Sequence, residues 1–520
     1  MKRIRTVFGG VVATVLAVAT SGCGATQFGA QADNLVLAMA AEPITLDPSG
    51  SANGNGSRWF VDLAYQSLIT IDAEGELSPA LAESWEFEDD ENTTLRVKLR
   101  EGLEFSNGEP LDADAVVASV EYFKEEGSGP TVGSFAAIEV TSDGSHEVIF
   151  TSANPNPLLP VLLTPRYMGG AIIAPEGLED PSQLSTQTFG AGPYQLDIEP
   201  TIKGDQYVFV PNENYHDEDQ QAFDQIEIQI ISNITSQVQA LKTEQIDAML
   251  ADPNAVTEAQ GEEHISEVSG PGFWNGFYLL DREGVTTPEL ADKRVRQALN
   301  YALDREAIAT AAYGDYGTAE SQPVSPGDAS HGYDESLKHY YEYDPDKAMK
   351  LLEEAGVENG FSMEVPYKSH IVGTTTMVEA AISQWEEIGV DVSLVPTNST
   401  GDWSQLYRSG DYPLTQQNSG GRPMLSNLES HFLAHSTMNP FEVEVPEITD
   451  AFHELSMIDY ADSGPKSAEV SKLLVEEAVA VPIVLAEEIV LYNNEKLENI
   501  QFLGKGSDIS FVYDWNPVAE

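Results

Sequence analysis

Apolar positions along this chain switch repeatedly between a period of two and a period near 3.6. Leu95, Val97 and Leu99 alternate with Arg96 and Lys98, as a strand with one buried face requires. The same signal predicts strands at 35–38, 146–150, 207–210 and 226–231, and an aromatic-rich strand at 273–280. Further strands are expected at 390–394, 483–485 and 489–492. Helical spacing takes over between them. Asp112 can cap a helix whose apolar face is Val116, Val117, Val120 and Phe123. A second helix is expected over 236–243. The clearest helix begins near Pro288 and carries Val295, Ala298, Leu299, Ala302 and Leu303 on one stripe. Asp304 restarts a helix that ends near Gly314. Asp344 and Pro345 open another, with Ala348, Leu351, Leu352 and Ala355 buried and Gly356 as its stop. A helix over 377–388 leads into the strand at 390–394. Strands and helices mixed through both halves imply an α/β fold rather than a bundle or a sandwich.

The N-terminus breaks this pattern. Lys2, Arg3 and Arg5 precede an apolar run from Val7 to Ala19, then Thr20, Ser21, Gly22 and Cys23. A basic start, a short apolar stretch and small residues before a cut form an export signal. The run is shorter than the roughly 20 residues that span a bilayer. Cys23 is the single cysteine of 520 residues, so no disulfide can form within the chain. Ser21-Gly22-Cys23 fits a lipobox, although Thr20 stands where leucine is usual. Residues 1–22 are expected as a lipoprotein signal peptide, Cys23 as the lipidated residue, and 23–32 as a tether. Two or more acyl chains anchor a protein stably where one is marginal. The expected location is the outer face of the cytoplasmic membrane.

Composition narrows the partners. Lys and Arg number 26 against 85 Asp and Glu, a net charge of −59. A chain that binds nucleic acid needs cations against phosphate, so this balance excludes it as a partner. The acidity suits a soluble exported surface, and could also favour a cationic ligand. The part beyond residue 32 is too long for one simple core, so more than one domain is expected.

Several blocks, in order, carry a resemblance. They include Glu42-Pro43-Ile44-Thr45-Leu46-Asp47-Pro48, Leu77 to Glu86, and Leu99 to Leu111 followed by Asp112 to Ser119. Gly190-Ala191-Gly192-Pro193-Tyr194, Asn212 to Tyr215 and Gln245 to Ala248 follow. Asp292 to Arg305 and Tyr343 to Gly356 complete the set. Together they resemble solute-binding protein family 5, the peptide- and nickel-binding class that serves ABC importers. The resemblance implies a periplasmic-binding-protein-like fold with two main lobes around a cleft and an inserted third domain. Lobe I would comprise 33–76, 190–282 and 488–520, lobe II 77–189, and a closing lobe III 283–487. It further implies a monomer that captures a small solute, in the first instance a peptide, by lobe closure. The solute would then pass to an ABC permease and its ATPase subunits. Arg294 and Arg296, on the polar side of their helix, are expected as structural ion-pair partners.

No GxSxG, HExxH or Walker A run is present, so nothing positive supports an enzyme, and no cofactor is expected. A cell-surface hydrolase or a sensor stands as the reading of another class. His431 and His435 would share one face if their segment were helical, but no third metal ligand accompanies them. Candidate ligand contacts are Trp274, Asn275, Phe277 and Tyr278 on the aromatic strand, together with Trp403. The loop 410–422 adds Gln416, Gln417, Asn418 and Arg422. In peptide-binding relatives the corresponding loop carries a tryptophan and an aspartate that grips a free amino group. Here both are missing. The amides offer neutral donors and acceptors, and Arg422 would favour a carboxylate or another anion. An oligosaccharide, an anionic solute or a metal or haem chelate therefore stands beside a peptide as ligand.

Overall fold

The computed structural model describes residues 34–518 apart from 52–54, 73–75, 128–129, 328 and 504–509. The signal segment, Cys23 and the tether lie outside the described residues. A nine-stranded mixed sheet forms the spine. Its path runs Leu414–Ser419, Ile265–Leu279, Ala480–Asn493, Ala248–Ala251, Asn34–Met39, Gln225–Ile230, Gln206–Pro211 and Tyr194–Ile202, with Gly317–Ala319 also paired to Ala480–Asn493. Asn34–Met39 is parallel to both its neighbours. The other pairs are antiparallel.

Two strands reach far beyond the usual length of about 5–6 residues. Ile265–Leu279 has 15 residues and Ala480–Asn493 has 14. They pair from Ile265 opposite Asn493 to Tyr278 opposite Ala480, with register shifts at Pro271/Phe273 and Asn275/Gly276. The pattern alone suggested two strands at 483–485 and 489–492. They are one, because Ala486, Glu487 and Glu488 between them stay extended opposite Phe273, Pro271 and Gly270. The aromatic strand likewise starts at Ile265 rather than Phe273.

The helices follow their caps. Asp112, Asp304 and Asp344 each accept a hydrogen bond from the backbone N–H three residues on. The helix expected from Pro288 is divided. Pro288–Ala291 is a 3₁₀ turn and Lys293–Tyr301 is the α-helix, because Asp292 has extended backbone and its carboxylate caps Arg294 N. Arg294 then pairs with Asp292. Arg296 does not form the expected ion pair. It is buried and donates to the carbonyls of Leu290, Ala291, Glu477 and Ala478. Orphan carbonyls at helix ends hold it in place of an acid.

Lys293–Tyr301, Arg305–Tyr313 and Thr374–Glu387 share one hydrophobic core with the parallel pair Phe361–Lys368 and Val390–Thr397. Another core lies under the four-stranded sheet Ala82–Phe87, Thr94–Leu99, Glu147–Ser152 and Ile138–Ser142, against helix Ala113–Glu126. That core continues into the helices Met424–His431, Pro446–Ser456 and Gly464–Glu476. Gly190 and Gly192 permit a close chain crossing within this core. A Cβ on Gly190 would stand 2.1 Å from the Ala64 carbonyl oxygen, and one on Gly192 2.5 Å from the Ala64 carbonyl carbon.

Candidate solute-binding seam

The candidate residues meet where the edge strand Leu414–Ser419 pairs with Ile265–Leu279. The register sets Trp274 opposite Ser419, Asn275 opposite Asn418, Gly276 opposite Gln417, Phe277 opposite Gln416 and Tyr278 opposite Thr415. Side chains alternate across a sheet, so this register divides them between two faces. Asn275, Phe277, Gln416 and Asn418 take one face. Phe277 and Gln416 are fully buried there, Phe277 against Trp385 at a ring separation of 5.0 Å. Trp274, Gln417 and Tyr278 take the other. Trp274 and Tyr278 stand edge to face at 5.1 Å, and Tyr278 packs on His431 and Phe432. Gly276 adds no side chain between them.

A residue that the pattern did not single out joins both faces. Lys368 ends the strand Phe361–Lys368, beside the sheet edge. Its ammonium donates to Gln417 Oε1 at 3.0 Å and to Asn418 Oδ1, and lies 4.2 Å from the centre of the Trp403 ring. Its backbone N–H donates to Gln416 Oε1. Trp403 is fixed in turn by Nε1 donating to Thr415 Oγ1 at 2.8 Å. Lys368 is only 4% exposed. It has no carboxylate partner among the described residues, and burial pushes its pKa down to about 7. The sequence signal was faint: one lysine closing an otherwise strand-like run.

Arg422 follows the edge strand. It is half-buried, and among the described residues it too has no acid or hydrogen-bond partner. Its charge reaches the Tyr278 phenol and the His431 imidazole. Burial first, and Arg422 second, push His431 down to about 3, so it is neutral at physiological pH. The His431–His435 pair does not form a ligand face, because the helix ends at His431 and His435 is exposed beyond it. Polar atoms are left over around the seam. Asn275 Oδ1, Gln416 Nε2 and the Tyr278 hydroxyl are buried without a hydrogen bond of normal geometry. Such atoms are costly unless something meets them.

Just beyond the seam, the segment after Arg422 meets residues 92–167. Tyr167 donates to Ser426 Oγ at 3.4 Å, and Asn92 donates to Asp459 Oδ1 at 2.9 Å. Pro157 and Leu158 face Pro423, Leu425, Leu455 and Ile458 around a cavity of only about 10 Å³. Pockets for drug-sized ligands hold about 300–1,000 Å³. In this arrangement the two sides are shut against each other.

A family model, bacterial extracellular solute-binding proteins, family 5 middle, matches residues 76–437. The chain belongs to the extracellular solute-binding proteins of family 5. This family works with an ABC permease and ATPase and binds small solutes. A curated relative, the glutathione-binding protein GsiB of Escherichia coli, is 29% identical over 387 residues, which cover 72% of this chain and 71% of GsiB. Among solved structures, the substrate-binding protein CtaP of Listeria monocytogenes superposes with a TM-score of 0.77 at 20% identity, over 94% of this chain and 99% of that one. AgaA of A. tumefaciens, in complex with agropinic acid, gives the same TM-score, identity and coverage. These likenesses show the shared fold, and the periplasmic-binding-protein-like α/β architecture expected from the sequence is the one that this family 5 chain has.

Proposed function

We propose that this chain is the solute receptor of an ABC importer, not an enzyme, held at the outer face of the cytoplasmic membrane by a lipid on Cys23. The ligand is a peptide or a similar small polar solute. The observation that carries this reading is the seam itself: aromatic rings, orphan polar atoms and two cations without acid partners gathered along one sheet edge. GsiB is named for glutathione, and a Helicobacter pylori neighbour, DppA, was solved with a bound peptide. Both fit a small peptide-like ligand.

The proposed lobes are 33–76, 190–282 and 488–520 for lobe I, 77–189 for lobe II, and 283–487 for the closing lobe, acting as a monomer. The paired strands Ile265–Leu279 and Ala480–Asn493 support a hinge, since both pass between the two core regions and their register slips at Pro271 and Gly276. Solute binding would stabilise the closed form by its larger contact there. X-ray scattering on the purified protein, with and without solutes recovered by native mass spectrometry, tests this. Compaction on binding, with the solute returned intact, is expected. A bound solute that is turned over, or one that leaves the dimensions unchanged, sinks the receptor reading. Cys23→Ala is expected to move the protein from the membrane fraction to the soluble fraction, and an unchanged distribution would remove the anchor.

A further inference from the structure

We propose that Lys368 and Arg422 make this seam selective for an anionic, carboxylate-bearing solute, whose acid group supplies the counter-charge that the protein withholds from both cations. The inference rests on the receptor reading above and names the ligand class within it.

The first argument is one of charge accounting. Acids outnumber bases by 85 to 26 in this chain. Many basic side chains elsewhere sit on carboxylates: Arg96 on Glu88, Asp143 and Glu147, Lys466 on Glu454 and Glu469, Lys496 on Asp247, while the buried Arg282, Arg296 and Arg305 donate to backbone carbonyls instead. Lys368 and Arg422 flank the same edge strand and have none among the described residues. In so acidic a protein, leaving both without an acid requires that carboxylates be kept away from this spot.

The second argument concerns how Lys368 is held. Two buried arginines in the scaffold, Arg296 and Arg305, have carbonyl nests that meet their donors, whereas Arg282 has only the Leu279 carbonyl among the described residues. Arg305 donates to the carbonyls of Asn300, Glu320, Tyr341 and Pro482 and to Asn300 Oδ1. Lys368 has two neutral amide oxygens and an aromatic face. An ammonium has three donors, so this is a cation oriented but incompletely satisfied. Burial without an acid is expensive, and a ligand carboxylate beside it would recover that cost on binding.

The third argument is the geometry of discrimination. Gln417 and Asn418 turn their carbonyl oxygens to Lys368, so a ligand ammonium that approached them would stand beside a like charge. Arg422 offers a planar fork suited to a carboxylate. A cationic solute would meet two like charges here and a neutral one would leave both unpaired, so each is disfavoured.

The test uses the full-length lipoprotein in detergent and a calorimetric panel of matched pairs. The panel holds glutathione and its diethyl ester, trialanine and its C-terminal amide, a dicarboxylate and its diamide, and a neutral oligosaccharide. The tightest binder is expected to carry a free carboxylate, and masking that group should weaken binding at least tenfold. Arg422→Gln and Lys368→Met should each weaken it at least tenfold, with thermal melts confirming that both variants fold. A neutral or cationic tightest binder overturns the inference, as do variants that bind within twofold of the parent. A protein that binds nothing, from the panel or from the small-molecule extract of cells, overturns the receptor reading instead.

Discussion

Lys368 offers a sharp check on the energetics of the seam. Burial lowers its pKa from 10.5 to about 7. At about 1.4 kcal/mol per pH unit, that fall corresponds to on the order of 5 kcal/mol of penalty for keeping the charged form inside. Below pH 7 the lysine is protonated in both folded and unfolded chains, and the penalty is present in full. Between pH 7 and 10.5 the unfolded chain holds a proton that the folded one lacks, so stability rises with pH. Above 10.5 both forms are neutral and the penalty is gone. Lys368→Met removes this term and leaves the two amide oxygens without their donor, a cost of about 1–2 kcal/mol that does not vary with pH. Denaturant unfolding of ligand-free protein from pH 6 to 9.5 reads the difference. Relative to the variant, the parent should gain about 3 kcal/mol between pH 7 and 9.5. Parallel curves would refute the idea that Lys368 is a charge buried without compensation, since any other titrating group moves both proteins alike.

Gly192→Ala places a methyl group 2.5 Å from the Ala64 carbonyl carbon, and should cost about 2 kcal/mol or more in denaturant unfolding as the crossing is forced apart. Arg305→Met strips donors from four buried carbonyl oxygens, and is expected to destabilise by roughly 3–5 kcal/mol in the same assay. Asn92→Ala removes the bond to exposed Asp459, worth about 1 kcal/mol, so the open form should gain about fivefold over the closed one and the scattering radius of the ligand-free protein should rise. Glu320 is raised to about 7 by burial, so it favours the folded state most below its unfolded value of 4.5 and loses that advantage as pH climbs to 7. Glu320→Gln should abolish this fall in stability between pH 4.5 and 7, read by thermal melting.

Sequence alone determined the local structure and the kind of protein. Asp112, Asp304 and Asp344 announce helix starts because a short carboxylate meets an orphan N–H within its own turn, and nothing distant is needed. The α/β class follows from the two periodicities, and membership of family 5 from ordered blocks of scaffold residues. What depended on distant partners was not legible. Ala486, Glu487 and Glu488 read as a break, yet the partner strand keeps them in one 14-residue ladder. Arg296 read as a surface ion-pair residue, yet carbonyls from four separate positions hold it in the interior. The seam showed the same division. Its aromatic and amide residues were visible as a composition, but their split between two faces is set by the register of Leu414–Ser419 on Ile265–Leu279. Only the tertiary structure placed Lys368 against Gln417, Asn418 and Trp403, because that contact joins three segments of the chain and lives in none of them.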